Sequence, residues 1–171
     1  PNFKLWDTVS DSIKSLNKVK GPNGTMVMFI CNHCPYVIHI NEALVVLAEE
    51  LKTKGIRVIA ISSNDAEKYP QDGPRAMELH ARKMKYSFPY LYDRTQDIAK
   101  AYNAACTPDF YLFNAELKLT YRGQLDESRP TNDLPVDGSD LRHAVDCLLK
   151  NKDNTRTQKP SIGCSIKWKT S

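Results

Sequence analysis

Apolar residues in this chain gather in short dense runs separated by polar, turn-forming stretches. After Gly21-Pro22-Asn23-Gly24, residues 25–30 (Thr-Met-Val-Met-Phe-Ile) form one such run with no polar face. This predicts a strand buried on both sides. The spacing then changes. Val37, Ile40, Leu44, Leu47, Ala48 and Leu51 recur at helical intervals, and Gly55 follows. A helix over roughly 35–54 with glycine as its stop is expected. Residues 56–61 (Ile-Arg-Val-Ile-Ala-Ile) are β-branched and nearly all apolar, which predicts a second covered strand. Strand, crossover helix and strand in this order make a right-handed parallel α/β unit.

The remaining pattern surrounds that unit. Residues 1–16 carry Phe3, Leu5 and Trp6 as apolar anchors and predict a first strand or hairpin. Residues 62–74 are polar and rich in Pro, Asp and Gly, so they read as a loop. Residues 75–86 have helical spacing through Met77, Leu79, His80 and Met84, and 88–92 read as extended. Asp93 and Thr95 are expected to cap a helix ending near Tyr102. Strands at 109–113 and 118–122 with a turn at 114–115, a polar insertion at 124–137 and a helix at 139–151 complete the body. The fold class is α/β, a mixed central sheet flanked by helices with one antiparallel portion. One domain over 1–171 is expected, with 151–171 as a C-terminal extension. Within it, 151–160 read as a linker, and 161–168 are apolar enough to fold back.

Composition changes little in this picture. The chain is 41% hydrophobic and 26% charged, ordinary for a soluble globular protein, and long enough to bury a core without disulfide staples. Its net charge of +4 is spread without a basic helical stripe, so no nucleic-acid partner is expected. No apolar run reaches membrane-span length, and no membrane partner is expected. Five cysteines do not make a secreted disulfide scaffold. No signal peptide is visible and a cytoplasmic location is expected, with an exported form left open because the chain starts at Pro1 without a Met.

The candidate chemistry lies between the first buried strand and the first long helix, at Cys31-Asn32-His33-Cys34-Pro35. A helix N-terminus presents unpaired N–H groups and the positive end of a dipole. A thiolate placed there is favoured over its thiol, and two sulfurs three residues apart can close a disulfide. This points to redox chemistry. A structural zinc site would need two more ligands from a second paired motif, and the chain has none.

With these residues in view, the chain resembles the thioredoxin superfamily, and within it the peroxiredoxin-like (alkyl hydroperoxide reductase/redoxin) branch. Pro1-Asn2-Phe3-Lys4-Leu5 is similar to the opening strand of that branch, the Cys-x-x-Cys follows the first long strand, and Thr107-Pro108 stands where the superfamily carries a cis-proline. Segments 29–37, 89–93, 105–110 and 162–169 are similar to a group of peroxiredoxin-like proteins over essentially the whole length. The chain departs from both parents. Ile30 replaces the tryptophan that precedes the first cysteine of thioredoxin, and Thr25 replaces its buried aspartate, so no general base stands there. The peroxiredoxin motif Pro-x-x-x-Thr/Ser-x-x-Cys finds Val27 and Cys31 where its Pro and Thr should be.

The resemblance implies a thiol–disulfide oxidoreductase. Cys31, exposed at the helix start, attacks a substrate disulfide, and the more buried Cys34 resolves the mixed disulfide. His33 occupies the tuning position of oxidising relatives. It implies a potential between those of thioredoxin and DsbA, which differ by about 150 mV, or roughly 7 kcal/mol. Pro108 is expected in the cis form, holding residues 106–107 extended to pair with a substrate strand. Cys106 is expected near the pair as a possible third thiol, against the reading of a small buried hydrophobe. Cys164 in the tail is a candidate fourth thiol. Arg122 is a candidate for stabilising a thiolate or peroxide oxygen, against a surface role.

Two alternatives stand beside this reading: a thiol peroxidase in which a sulfenate on one cysteine is captured by the other, and a Cu(I)-binding metallochaperone. The expected substrate is a disulfide or peroxide, and the reducing partner a thioredoxin or glutathione system. No cofactor and no resident metal are expected.

Overall fold

The computed structural model describes residues 1–170. Strand β1 (Lys4–Asp7) turns back into β2 (Ser12–Ser15) as an antiparallel hairpin, followed by a single helical turn, α1 (Leu16–Val19). Strand β3 (Gly24–Phe29) comes next, with all six residues buried. Strand β4 (Ile56–Ser62) lies parallel to it, from Gly24 opposite Ile56 to Phe29 opposite Ile61. Near-continuous apolar runs in both strands follow from burial on both faces.

The expected single helix over 35–54 is two helices. One short turn, α2 (Pro35–Ile38), precedes α3 (Asn41–Thr53), with the break at His39–Ile40. Apolar spacing could not reveal it, because Val37, Ile40 and Leu44 keep one face across the break. The visible signal is Asn41, a polar residue buried on that apolar stripe. Its carboxamide oxygen accepts the Tyr86 hydroxyl at 2.7 Å, so it is partnered in the core. Helix α3 ends where expected: Gly55 takes φ +74°, a conformation that favours glycine.

After the loop at 63–73, which contains one 3₁₀ turn at Pro70–Asp72, come α4 (Pro74–Met84), β5 (Tyr90–Tyr92) and α5 (Asp97–Ala101). Helix α5 starts at Asp97, later than expected, but the Asp93 carboxylate still accepts its N2 and N3 N–H groups, Ile98 at 3.4 Å and Ala99 at 2.9 Å. The two-residue strand β6 (Cys106–Thr107) leads into β7 (Asp109–Asn114), β8 (Leu119–Gly123) and α6 (Ser139–Leu149). The final strand is β9 (Cys164–Ser165).

Seven strands make one mixed sheet in the order β2-β1-β5-β4-β3-β7-β8, parallel at its centre and antiparallel on both flanks. One core cluster packs α3, α4 and α6 against Met26, Met28 and Ala60, and the second packs Val27, Phe29, Ile59 and Ile61 against Tyr102, Tyr111 and Ile166. Strands β6 and β9 form a separate two-stranded sheet, Cys106 opposite Ser165 and Thr107 opposite Cys164. No helix among the described residues is long and apolar enough to cross a membrane.

Candidate active site

The Cys-x-x-Cys lies where β3 ends. Ile30 still pairs with the sheet, its N–H donating to Ile61 O at 3.0 Å, and Cys31 begins the turn. Asn32 holds that turn to the loop after β4: its N–H donates to Asp72 Oδ1 at 2.9 Å and its carboxamide to Gln71 O at 2.8 Å. Tyr90 donates its hydroxyl to Asn32 Oδ1 at 2.8 Å from below.

Both sulfurs are enclosed, with Cys31 1% and Cys34 0% exposed. The expected exposure of Cys31 is therefore absent. Loop 70–72 covers one side, and the C-terminal segment covers the other. Thr107 joins the two thiols: its Oγ1 is 3.6 Å from Cys31 Sγ, and its carbonyl accepts from Cys34 Sγ at 3.4 Å. The Thr107–Pro108 peptide is cis.

The pair is asymmetric. Cys34 is held well below the ordinary thiol range, first because the Cys31 S–H donates to it, then because the side chain and backbone N–H of Cys164 and the Thr107 hydroxyl also donate. These outweigh the burial that opposes ionisation. Cys31 moves the other way: it gives its proton to the hydrogen bond with Cys34, is buried, and faces the Asp72 carboxylate. Of the two, Cys34 is the more readily ionised thiol and Cys31 the less, whereas Cys31 is the nucleophile the resemblance implies. A helix dipole is not the cause. Helix α2 is one turn, Pro35 brings no N–H to it, and Cys34 makes no side-chain capping bond; its carbonyl takes the N–H groups of Val37 and Ile38.

His33, the expected tuning residue for Cys31, brings a ring nitrogen within 4.8 Å of the Cys31 sulfur. Its Nδ1 lies against Asp72 Oδ2, and its ring stacks on Tyr69 with centroids 5.8 Å apart and planes 2° apart. Asp72 is fully buried, also accepts from Asn64 Nδ2 at 2.9 Å, and is the residue that sequence reasoning missed. It supplies a buried carboxylate beside the cysteines from a position unrelated to Thr25. Thr25 is buried and accepts the Gly21 N–H at 3.0 Å, a structural role. The signal was Asp72-Gly73-Pro74, read only as turn chemistry.

Cys31, His33 and Asp72 bring one donor atom each within 4.8 Å of one another. This mixed sulfur, nitrogen and oxygen set suits a borderline cation such as zinc better than Cu(I), which favours soft thiolates. The Asp72 oxygens are already engaged by Asn32 and Asn64, so a cation there would compete with existing hydrogen bonds.

The other candidates separate. Cys106, expected beside the pair, points its thiol to Pro108 O at 3.7 Å and Ser161 O at 3.6 Å, because alternate residues of a strand face opposite ways. Burial, then the Asp109 charge, push its thiol up to about 11. Arg122 is spent elsewhere: its guanidinium donates to Asn103 O at 2.7 Å and Asp109 Oδ2 at 3.2 Å and lies over the Tyr111 ring. Cys164, in the tail, is the thiol that reaches Cys34. The insertion at 124–137 lines a small crevice with Pro108, Tyr36 and Ser161.

The family model described as AhpC/TSA matches residues 1–122. The chain belongs to the AhpC/TSA family. A redox thiol function goes with that membership. Among solved structures, an uncharacterized conserved protein from Geobacillus kaustophilus is 53% identical, with all of this chain and 90% of that one covered and a TM-score of 0.97. A hypothetical protein from Sinorhizobium meliloti 1021 is 44% identical, covering 100% of this chain and 93% of the other at TM-score 0.96. Peroxidoxin BcpB of Mycobacterium tuberculosis, 16% identical over 92% of this chain and 95% of its own at TM-score 0.62, shares the fold of this AhpC/TSA member. The curated proteins contain no match.

Proposed function

We propose that this AhpC/TSA protein is a thiol–disulfide oxidoreductase that cycles Cys31 and Cys34 between dithiol and disulfide. The observation that carries the reading is the buried pair of sulfurs meeting at Thr107, Cys31 at its hydroxyl and Cys34 at its carbonyl, with Cys34 the more readily ionised of the two. The Cys34 thiolate attacks one sulfur of a substrate disulfide, the substrate S–S bond breaks, and one thiolate leaves. Cys31 then loses its proton, for which the Asp72–His33 pair is placed as acceptor, and attacks Cys34. The second substrate thiol leaves, and the Cys31–Cys34 disulfide remains. A thioredoxin or glutathione system returns it to the dithiol.

A peroxidase is the second reading, favoured by one observation: the depressed thiol is Cys34, which stands before Pro35 where peroxiredoxins keep their reactive cysteine. Against it, Val27 lies inside β3 at the position of the motif proline, and Arg122 is paired with Asp109 and not with a sulfur. The test is a direct competition. Reduced protein is mixed with hydrogen peroxide and, separately, with oxidised glutathione, and the rate of Cys31–Cys34 closure is followed by mass spectrometry. Faster closure by the disulfide supports exchange. Closure by peroxide several orders of magnitude faster would make the protein a peroxidase.

A further inference from the structure

The strand edge beside Pro108, expected to receive a substrate, is covered by the chain's own C-terminus. Strand β9 pairs antiparallel with β6, and Gly163 approaches so closely that a Cβ there would lie 1.9 Å from Thr107 O. No side chain fits at that position, so the sequence Gly163-Cys164 is what brings the tail into register. The segment is tied on both sides of the site. Ile166 is 3% exposed in the second core cluster and its N–H donates to Ala105 O at 3.0 Å, while Lys167 exchanges bonds with the loop that carries Asp72, its N–H to Asn64 Oδ1 at 2.9 Å and its carbonyl from the Asp65 N–H at 2.8 Å. This register sets Cys164 opposite Thr107, the residue that touches both active-site sulfurs. Cys164 packs against the cluster that contains Cys31 and Cys34.

We propose that Cys164 is a third redox thiol of this site, closing a disulfide with Cys34 from the strand that occupies the substrate edge. The proposal rests on the exchange reading above. Its steps balance with the same oxidant, a substrate disulfide. The Cys34 thiolate attacks it, giving a Cys34 mixed disulfide and one free thiolate. The Cys164 sulfur, having released its proton to that leaving thiolate, attacks Cys34. The bond from Cys34 to the substrate sulfur breaks, the Cys34–Cys164 bond forms, and the second thiolate leaves. Two electrons pass from the protein to the substrate. Attack by Cys31 on Cys34 then moves the disulfide to Cys31–Cys34 and frees Cys164, with no net oxidation.

The surroundings of Cys164 suit this order. In the reduced state burial, and then the neighbouring Cys34, push its thiol up to about 11, so it serves as a hydrogen-bond donor. Once Cys34 is a neutral mixed disulfide, the Cys34 contribution is gone and Lys167 still favours the Cys164 thiolate. Cys106, one residue from Thr107 on the opposite face, has no such access.

The experiment uses the full chain with Cys31→Ser, treated with one equivalent of oxidised glutathione, with released glutathione counted and cysteines mapped by mass spectrometry. The expected result is two glutathione molecules released per protein and a Cys34–Cys164 linkage. A stable glutathione adduct on Cys34, with one molecule released, would overturn the third thiol while leaving exchange chemistry intact. Absence of any reaction, in this variant and in the unaltered protein, would overturn the exchange reading itself and the proposal with it. A second variant, Gly163→Val, keeps every thiol but drives the tail from β6. In a glutathione redox series it is expected to form Cys31–Cys34 and to lose the Cys34–Cys164 species that the unaltered protein shows. An unchanged Cys34–Cys164 fraction in that variant would also overturn the proposal.

Discussion

The two sheets of this molecule hold together in different ways. In the large one, β3 is buried at all six residues and paired along its whole length on both sides. In the small one, β6 and β9 share two residue pairs, Cys164 is half-buried and Ser165 is exposed. What fastens β9 is mostly backbone hydrogen bonding to loops, with Ile166 as its buried apolar anchor. Segments with few buried apolar contacts open at a fraction of the global unfolding free energy. The body fixes the positions of Thr107 and the cysteines, and the lightly held strand lies against Thr107.

The largest effect that would break this comparison is chemical. Cys34→Ser is expected to lower the rate of exchange with oxidised glutathione by three orders of magnitude or more, roughly the cost of losing a nucleophile, while Cys106→Ser stays within about twofold of the unaltered protein. Comparable losses in both would mean that their different surroundings do not matter. Next comes the body itself. Ile59→Ala, in a fully buried site of β4, is expected to cost about 2–5 kcal/mol in chemical denaturation. Removing residues 161–171 is expected to cost less stability and to raise the reaction rate with an unfolded protein disulfide by about tenfold, equivalent to roughly 1.4 kcal/mol of displaced strand. An equal or lower rate would show that β9 does not limit access.

A pH series sharpens the asymmetry within the pair. The thiolate is the reactive form, and Cys34 titrates below the ordinary thiol range, so its alkylation by iodoacetamide should stay level through neutral pH and fall only in acid. Cys31→Ala removes the first cause of that depression. The inflection should then move upward, toward the ordinary thiol value of about 8.5, making the neutral-pH rate climb with pH. The smallest effect is expected at Arg122. Arg122→Ala should cost about 1–2 kcal/mol, a value discounted because the arginine is 39% exposed, by leaving Asp109 partly unpaired. Exchange kinetics should not change, and a large kinetic loss would return Arg122 to the candidate site.

Much of the body was legible in the sequence because its signals are local. The apolar runs at 25–30 and 56–61 became β3 and β4 within one residue at each end, and Gly55 ended α3 as its position implied. The break between α2 and α3 was not legible, since apolar spacing continues across it and only buried Asn41 betrays it. In the site, the Cys-x-x-Cys and Thr107-Pro108 were legible as motifs, and their meeting through Thr107 follows from where β3 and β6 end. Asp72 was not, because a carboxylate in a polar loop looks the same whether it meets water or, as here, Asn32, Asn64 and His33.

By itself, then, the sequence determined most of which segments are strands and helices, that the sheet is mixed, and which two sulfurs are the candidate redox pair. Periodicity and motif spacing are properties of neighbouring residues and survive without a fold. Only the tertiary structure decided which sulfur ionises more readily. That depends on groups brought from 73 and 130 residues away, Thr107 and Cys164, and on a carboxylate at Asp72 facing Cys31. It also decided that the tail pairs with β6, because the register of β9 is set by the room that Gly163 leaves against Thr107.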